Sequence, residues 1–117
     1  MAEIDFITQY DSRSPISEAY RSIRTNLQFS GAGHDLKVVA FTSVIPEEGK
    51  STTVANLGIV MGQDNKKVLL IDCDLRKPVL HRRFELPNKG LTNCFAENIP
   101  LHQVIQKNIF PNLDIVT

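Results

Sequence analysis

The run Val44-Ile45-Pro46-Glu47-Glu48-Gly49-Lys50-Ser51-Thr52 contains the residue types needed to hold phosphate. Phosphate oxygens call for N–H donors and positive charge. The mouth of a helix offers both, because its first backbone N–H groups lack intrahelical partners and the dipole favours an anion there. Gly49 lets the backbone approach a ligand closely. Lys50 can bring a mobile ammonium to the outer phosphates, the hydroxyl of Ser51 can bind magnesium, and Thr52 can reach an inner phosphate. Glu48 through Thr52 is therefore the candidate nucleotide-binding stretch, with Mg2+ beside the phosphates. The general pattern G-x-x-x-x-G-K-[ST] wants glycine at position 44, where this chain has Val44. On pattern alone the match is partial, and an ordinary strand–turn–helix with Gly-Lys-Ser at the bend remains an alternative.

The flanking elements favour the phosphate reading. Leu36 to Thr42 is rich in β-formers and reads as a strand entering the loop. After the loop, Val54, Leu57 and Met61 recur at helical spacing, and Asp64-Asn65 breaks the pattern. Val68-Leu69-Leu70-Ile71 is a continuous apolar run, as expected of a strand covered on both faces. This order predicts a βαβ unit with the loop at the carboxyl edge of a parallel sheet, the usual ligand edge.

The second strand runs into Asp72-Cys73-Asp74. Two carboxylates at this spacing can divide the work: one holds the magnesium shell, the other accepts a proton from a nucleophile or positions water. The alternative is that they cap the following turn, where Asp is common. Beside a Gly-Lys-Ser-Thr loop, the metal and catalytic reading is preferred. Downstream, Arg76, Lys77, His81, Arg82 and Arg83 form a basic cluster. It suits phosphates or an acidic substrate segment, and equally the outer side of a short helix with Val79, Leu80 and Phe84 inward.

Near the amino terminus, Ser14 is a suitable N-cap with Pro15 at the first helical position. Ile16, Tyr20, Ile23 and Leu27 form an apolar stripe, and Glu18, Arg21 and Arg24 lie on a neighbouring one. On spacing alone those three charges read as a solvated face with one local ion pair, worth a few tenths of a kcal/mol. Residues 1–13 read as a flexible arm, and Gly31-Ala32-Gly33-His34 as a linker. Leu91 to Val104 reads as helical with an interruption at Pro100, and Leu113 to Thr117 as another strand.

Taken in order, these stretches resemble the cytoplasmic domain of bacterial tyrosine kinases, the family that controls capsule and exopolysaccharide chain length. Ser14 to Leu27 is similar to its amino-terminal signature, with Glu18, Arg21 and Arg24 at the E-x-x-R-x-x-R oligomerisation positions. Residues 43–53 resemble its variant Walker A loop, and 68–78 its Walker A′ segment. Leu80-His81-Arg82-Arg83-Phe84 and Gly90-Leu91-Thr92 also look familial. Partition and cell-division ATPases of the MinD/ParA type carry a signature lysine where Ile45 stands, so that branch is disfavoured. The resemblance implies an α/β fold, a P-loop NTPase-like parallel sheet flanked by helices. The flexible arm 1–13 would precede a partial kinase domain over 14–117, with its oligomerisation helix at 15–29. The family's Walker B strand, base pocket and tyrosine cluster have no counterpart here, which implies truncation before Walker B.

The activity implied is transfer of the ATP γ-phosphoryl group to tyrosine. Lys50 would neutralise phosphate charge, Ser51 and Asp74 would hold magnesium, and Asp72 would accept the tyrosine proton. The implied partners are a membrane adaptor of the polysaccharide co-polymerase type, protein tyrosine substrates and further copies of the chain. A non-catalytic nucleotide-binding or oligomerising module is the alternative. A Met1 start without a membrane segment resembles the separate cytoplasmic form of Gram-positive bacteria, recruited to the inner membrane face by its adaptor.

Composition agrees. The chain has 117 residues, 42% of them hydrophobic, enough for one small core. Thirteen basic residues balance thirteen acidic ones, so nothing global favours nucleic acid or a membrane surface. No apolar run approaches the ~20 residues of a membrane helix, and no signal-peptide pattern opens the chain. Cys73 and Cys94 make no metal or redox motif and read as buried thiols of a reducing compartment.

In the resembled family the loop usually has glycine where Glu47 stands. Glu47 places a carboxylate beside phosphates, and like charges about 4 Å apart cost roughly 1 kcal/mol in water and several-fold more in a shielded site. Glu47→Gly is therefore expected to tighten ATP binding severalfold in calorimetry; equal affinities would remove this explanation.

Overall fold

The computed structural model describes residues 6–31, 36–44 and 49–117. Its elements in chain order are α1 (Ile7–Tyr10), α2 (Pro15–Phe29), α3 (Lys50–Gln63), β1 (Val68–Ile71), α4 (Leu80–Arg83), α5 (Leu91–Glu97), β2 (Gln106–Phe110) and β3 (Leu113–Val116). The sheet order is β1-β3-β2. β1 and β3 run parallel, with Val68 opposite Leu113 and Ile71 opposite Val116. β2 returns antiparallel to β3. The α/β class expected from the sequence is present, on a sheet that is mixed rather than wholly parallel.

α3 is the centre of the molecule. It packs against β1 and β3 of the sheet and against α1 and α2. Ala55, Asn56, Leu57, Gly58, Ile59, Val60 and Gly62 are all buried. The single apolar face read from Val54, Leu57 and Met61 is too narrow, because a helix covered on both sides must be apolar nearly all round. One polar group sits in this enclosed helix, and it is fully used. Asn56 Oδ1 accepts from the backbone N–H of Thr8 at 3.1 Å and from the Thr8 hydroxyl at 2.7 Å. Its Nδ2 donates to the Thr52 carbonyl at 2.9 Å. Gln63 adds a donor to the Thr8 carbonyl.

These bonds correct the reading of a flexible arm for residues 6–13; residues 1–5 lie outside the described residues. Phe6 and Thr8 are completely buried. The Phe6 ring lies 4.7 Å from Phe84 and 5.5 Å from Phe110, centroid to centroid. Burying such a ring contributes about 1.5–3 kcal/mol, enough to order a four-residue helix that has little stability of its own. α2 begins as its sequence predicts: Ser14 Oγ accepts from Ser17 N–H at 3.0 Å, and Pro15 occupies the first turn. Ser17 Oγ bonds the carbonyls of Ile7 and Asp11, which ties α1 to α2.

Two expectations about strands are corrected. Leu36–Thr42 forms no strand, and Leu36, Val38, Val39 and Phe41 stay exposed. A strand needs a hydrogen-bonding neighbour, and none of the described residues supplies one. Among the described residues, β1 likewise has no neighbour on the edge away from β3. Leu69 and Ile71 are 42% and 41% exposed, so β1 is covered on one face only. β2 is an additional strand, beyond those the sequence pattern predicts. Its hairpin to β3 turns at Pro111-Asn112, with Asn112 in the left-handed region at φ 61°, residue types suited to a tight turn. This turn packs on the end of α3: Asn112 Nδ2 donates to the Gly62 carbonyl, and a Cβ at Gly62 would meet the Pro111 carbonyl oxygen at 2.3 Å.

The interruption expected at Pro100 is present. α5 ends at Asn98, which takes a left-handed conformation, and a 3-10 turn follows at Leu101–Gln103. Of the two cysteines expected to be buried, Cys73 is exposed and Cys94 half-buried, and both are free thiols.

Because Asn56 satisfies both Thr8 donors, Asn56→Ala strands them in the interior. Leaving buried donors unsatisfied costs about 1–3 kcal/mol each. Urea unfolding should show a loss of about 2–4 kcal/mol, and an unchanged midpoint would contradict this account.

Candidate nucleotide-binding site

The first strand of the expected βαβ unit does not form, but the amino end of α3 still lies at the carboxyl edge of the sheet. α3 runs back across the sheet into β1, so Lys50 begins the helix at the end where β1 and β3 finish. Gly49 is the N-cap, at φ 79° and ψ 16°. That left-handed conformation costs a residue with a Cβ about 1–2 kcal/mol, and among the described residues nothing would crowd that Cβ. Conformation is therefore what calls for glycine. The Gly49 carbonyl accepts from Thr53 N–H, starting the helical ladder. The preceding N–H groups point out of the helix mouth without intrahelical partners. Ser51 and Thr52 are half-buried in this first turn. Glu48, and with it Ile45, Pro46 and Glu47, lies outside the described residues.

The acidic pair follows β1 at the same edge. Asp72 N–H continues the parallel ladder to the Val116 carbonyl. Asp72 is 9% exposed, and its carboxylate is heavily used. Oδ1 accepts from Asp74 N–H at 3.0 Å, and Oδ2 from Val79 N–H at 3.0 Å and Leu80 N–H at 3.1 Å. A carboxylate has about four acceptor sites, so three are taken by backbone. Asp72 thus performs the capping role that sequence reasoning weighed second, and it sets α4 in place. Asp74 is exposed, and its Oδ1 accepts from Lys77 N–H.

Among the described residues, no hydrogen bond or ion pair joins Asp72 or Asp74 to Lys50 or Ser51. The link between the two halves of the edge comes from α4. Leu80 and Phe84 are buried, as the short-helix reading of this segment required. Arg83 Nη1 donates to Thr52 Oγ1 at 3.1 Å. Arg83 is the member of the basic cluster that reaches the first turn of α3. Sequence reasoning included it without distinguishing it; its place one residue before an inward Phe84 was the available signal.

The three charges of α2 lie elsewhere. Glu18 and Arg21 form an ion pair at 3.0 Å, and Arg21 Nη2 also donates to the Ser12 carbonyl. Arg24 Nη1 donates to the Val60 carbonyl at 2.7 Å. Val60 is about 15 Å along the axis of α3 from Lys50, so this group is separate from the phosphate end.

Magnesium suits oxygen donors and keeps several waters, so one or two protein ligands suffice. The Ser51 hydroxyl and the Asp74 carboxylate are donors of that kind. No cluster of three or more His, Cys, Asp or Glu side chains occurs among the described residues.

A domain model described as the CobQ/CobB/MinD/ParA nucleotide binding domain matches residues 39–107, more than half of the chain. The chain belongs to this nucleotide-binding family. Within it, the resemblance to bacterial tyrosine kinases stands. The chain is 46% identical over 112 residues to the tyrosine-protein kinase YwqD of Bacillus subtilis, covering 95% of this chain and 47% of that one. It is 42% identical over 101 residues to the tyrosine-protein kinase CpsD of Streptococcus agalactiae, covering 85% and 43%. In structure it is similar to the chimerical protein CapA2B2, with a TM-score of 0.89 at 35% identity, over 97% of this chain and 50% of that one. The kinase domain of the Escherichia coli tyrosine kinase ETK gives 0.88 at 31% identity, over 96% and 44%. The chain spans about half the length of these relatives.

If Asp72 is chiefly a cap, its loss is felt without any nucleotide. Asp72→Ala should lower stability by about 2–4 kcal/mol in urea unfolding of the ligand-free chain, and Asp72→Asn, which keeps one acceptor oxygen, by about half as much. Stability unchanged in both would show that the three backbone bonds are idle.

Proposed function

We propose that the chain binds magnesium-ATP at the amino end of α3 and forms part of a protein-tyrosine kinase that regulates capsule or exopolysaccharide synthesis. The observation carrying this reading is the left-handed Gly49 opening α3 at the carboxyl edge of the parallel β1/β3 pair, in a chain of the nucleotide-binding family. The bacterial kinase relatives supply the reaction class.

In this reading Lys50 neutralises the outer phosphates, and backbone N–H groups of the first turn of α3 hold their oxygens. Ser51 and Asp74 hold Mg2+, which supplies charge neutralisation across the transferring phosphoryl group. Asp72 keeps one acceptor site beyond its three backbone bonds, and that site takes the tyrosine proton. Most of the catalytic effect is positioning and charge stabilisation, since phosphoryl transfer asks for little covalent help from the protein. Glu18, Arg21 and Arg24 contribute to contacts between copies, and a membrane adaptor of the polysaccharide co-polymerase type recruits the assembly to the inner membrane face. Protein tyrosines are the acceptors; the chain's own are Tyr10 and Tyr20.

One observation favours a second reading, a nucleotide-binding module without catalysis. Three of about four acceptor sites on the Asp72 carboxylate are already occupied by backbone N–H groups.

Titration with a fluorescent ATP analogue and magnesium should show saturable binding, weakened at least about tenfold by Lys50→Met, as expected for loss of a charge-assisted contact. Equal affinities would overturn the site. Phosphotyrosine formation that disappears in Lys50→Met favours the kinase; binding without phosphotyrosine favours the module.

A further inference from the structure

The contact between Arg83 and Thr52 fixes more than a distance. Arginine carries donors and no acceptor, so in the 3.1 Å bond from Nη1 the Thr52 oxygen must accept. The Thr52 hydroxyl hydrogen is then turned away from Arg83 and is left to donate. At the mouth of a helix, a hydroxyl so oriented matches an anionic oxygen, and a guanidinium charge that is always present lies directly behind it.

We propose that Arg83 is a positioning residue for the nucleotide: it holds the Thr52 hydroxyl as a donor towards the inner phosphate and adds its own charge there. This rests on the nucleotide reading of the α3 end given above.

The arrangement is built before any ligand arrives. Asp72 Oδ2 accepts the N–H groups of Val79 and Leu80 and so sets the start of α4. Leu80 and Phe84, on either side of Arg83, are 4% and 2% exposed and belong to the core. On the α3 side, the Thr52 carbonyl accepts from Asn56 Nδ2, which is itself fixed by Thr8. The backbone carrying each partner is anchored by independent bonds, and the two side chains already meet, so less freedom is left to be lost when a phosphate binds. Lysine would not reproduce this, being a point charge on a flexible stem without a planar fork of donors.

The test is a titration of the chain with fluorescent ATP and ADP analogues and magnesium, using Arg83→Met, Thr52→Val and the double variant, with Lys50→Met as reference. Arg83→Met is expected to weaken binding roughly tenfold, the scale of one hydrogen bond to a charged group. The factor should be the same for ADP as for ATP, because the contact is with an inner phosphate, whereas the loss in Lys50→Met should be larger for ATP. The double variant should bind no more weakly than the worse single variant, since both remove one coupled contact. Unchanged binding in Arg83→Met, with binding lost in Lys50→Met, would overturn this inference and leave the nucleotide site standing. Fully additive losses would overturn the coupling through Thr52. No binding by the unaltered chain would overturn both. Should Arg83→Met fail to melt cooperatively, Arg83→Lys and Arg83→Gln decide: the charged variant must bind more tightly, and equal or tighter binding by Arg83→Gln would sink the proposal.

Discussion

The fold depends on enclosing α3, and enclosure is possible because one amide meets the polar demands of its middle. A helix packed on a sheet and roofed by two others cannot leave a polar side chain unpaired, since the desolvation cost is several-fold larger than the net gain of an ordinary hydrogen bond. Asn56 solves this by accepting twice from Thr8 and donating back along its own helix to Thr52. The same amide therefore fastens the amino-terminal segment and braces the first turn of α3. Phe6, which follows Thr8 into the interior, completes an aromatic cluster with Phe84 and Phe110. Elements far apart in the chain are thereby committed to one core.

The carboxyl edge of the sheet is organised from the other side by Asp72. Its three backbone bonds turn the chain out of β1 and into α4. The core then takes up Leu80 and Phe84. A carboxylate at such a place has two allegiances, to the loop it folds and to any ligand at the edge. Its low exposure gives the first of these priority.

Local chemistry was legible in the sequence; partnership across the chain was not. Ser14 and Pro15 announce the start of α2 because capping is a matter of a few adjacent residues. Gly49-Lys50-Ser51-Thr52 likewise announces a helix mouth fit for an anion. Leu36–Thr42 misleads because β-propensity expresses a fit to a neighbouring strand, and no described neighbour is there. Residues 6–10 mislead in the opposite sense: their short run carries no periodic signal, and their order comes from Asn56, Ser17 and the aromatic cluster. Arg83 stood within a run of cations whose members look alike until α4 turns one of them towards α3. The site is thus readable as a list of types, while the choice among acids and among arginines is made by tertiary contacts.

The open edge of β1 has a consequence for how the chain behaves in bulk solution. Among the described residues nothing pairs with the outer edge of β1, and such a row of backbone groups beside Leu69 and Ile71 is a template for another backbone, while Leu36, Val38 and Phe41 add further exposed apolar surface. Thirteen positive and thirteen negative side chains cancel at neutral pH, so no long-range repulsion keeps molecules apart. Colloidal stability is therefore lowest where the net charge vanishes. Handled by itself, the chain gains more from a shift of pH away from neutrality than from dilution of salt.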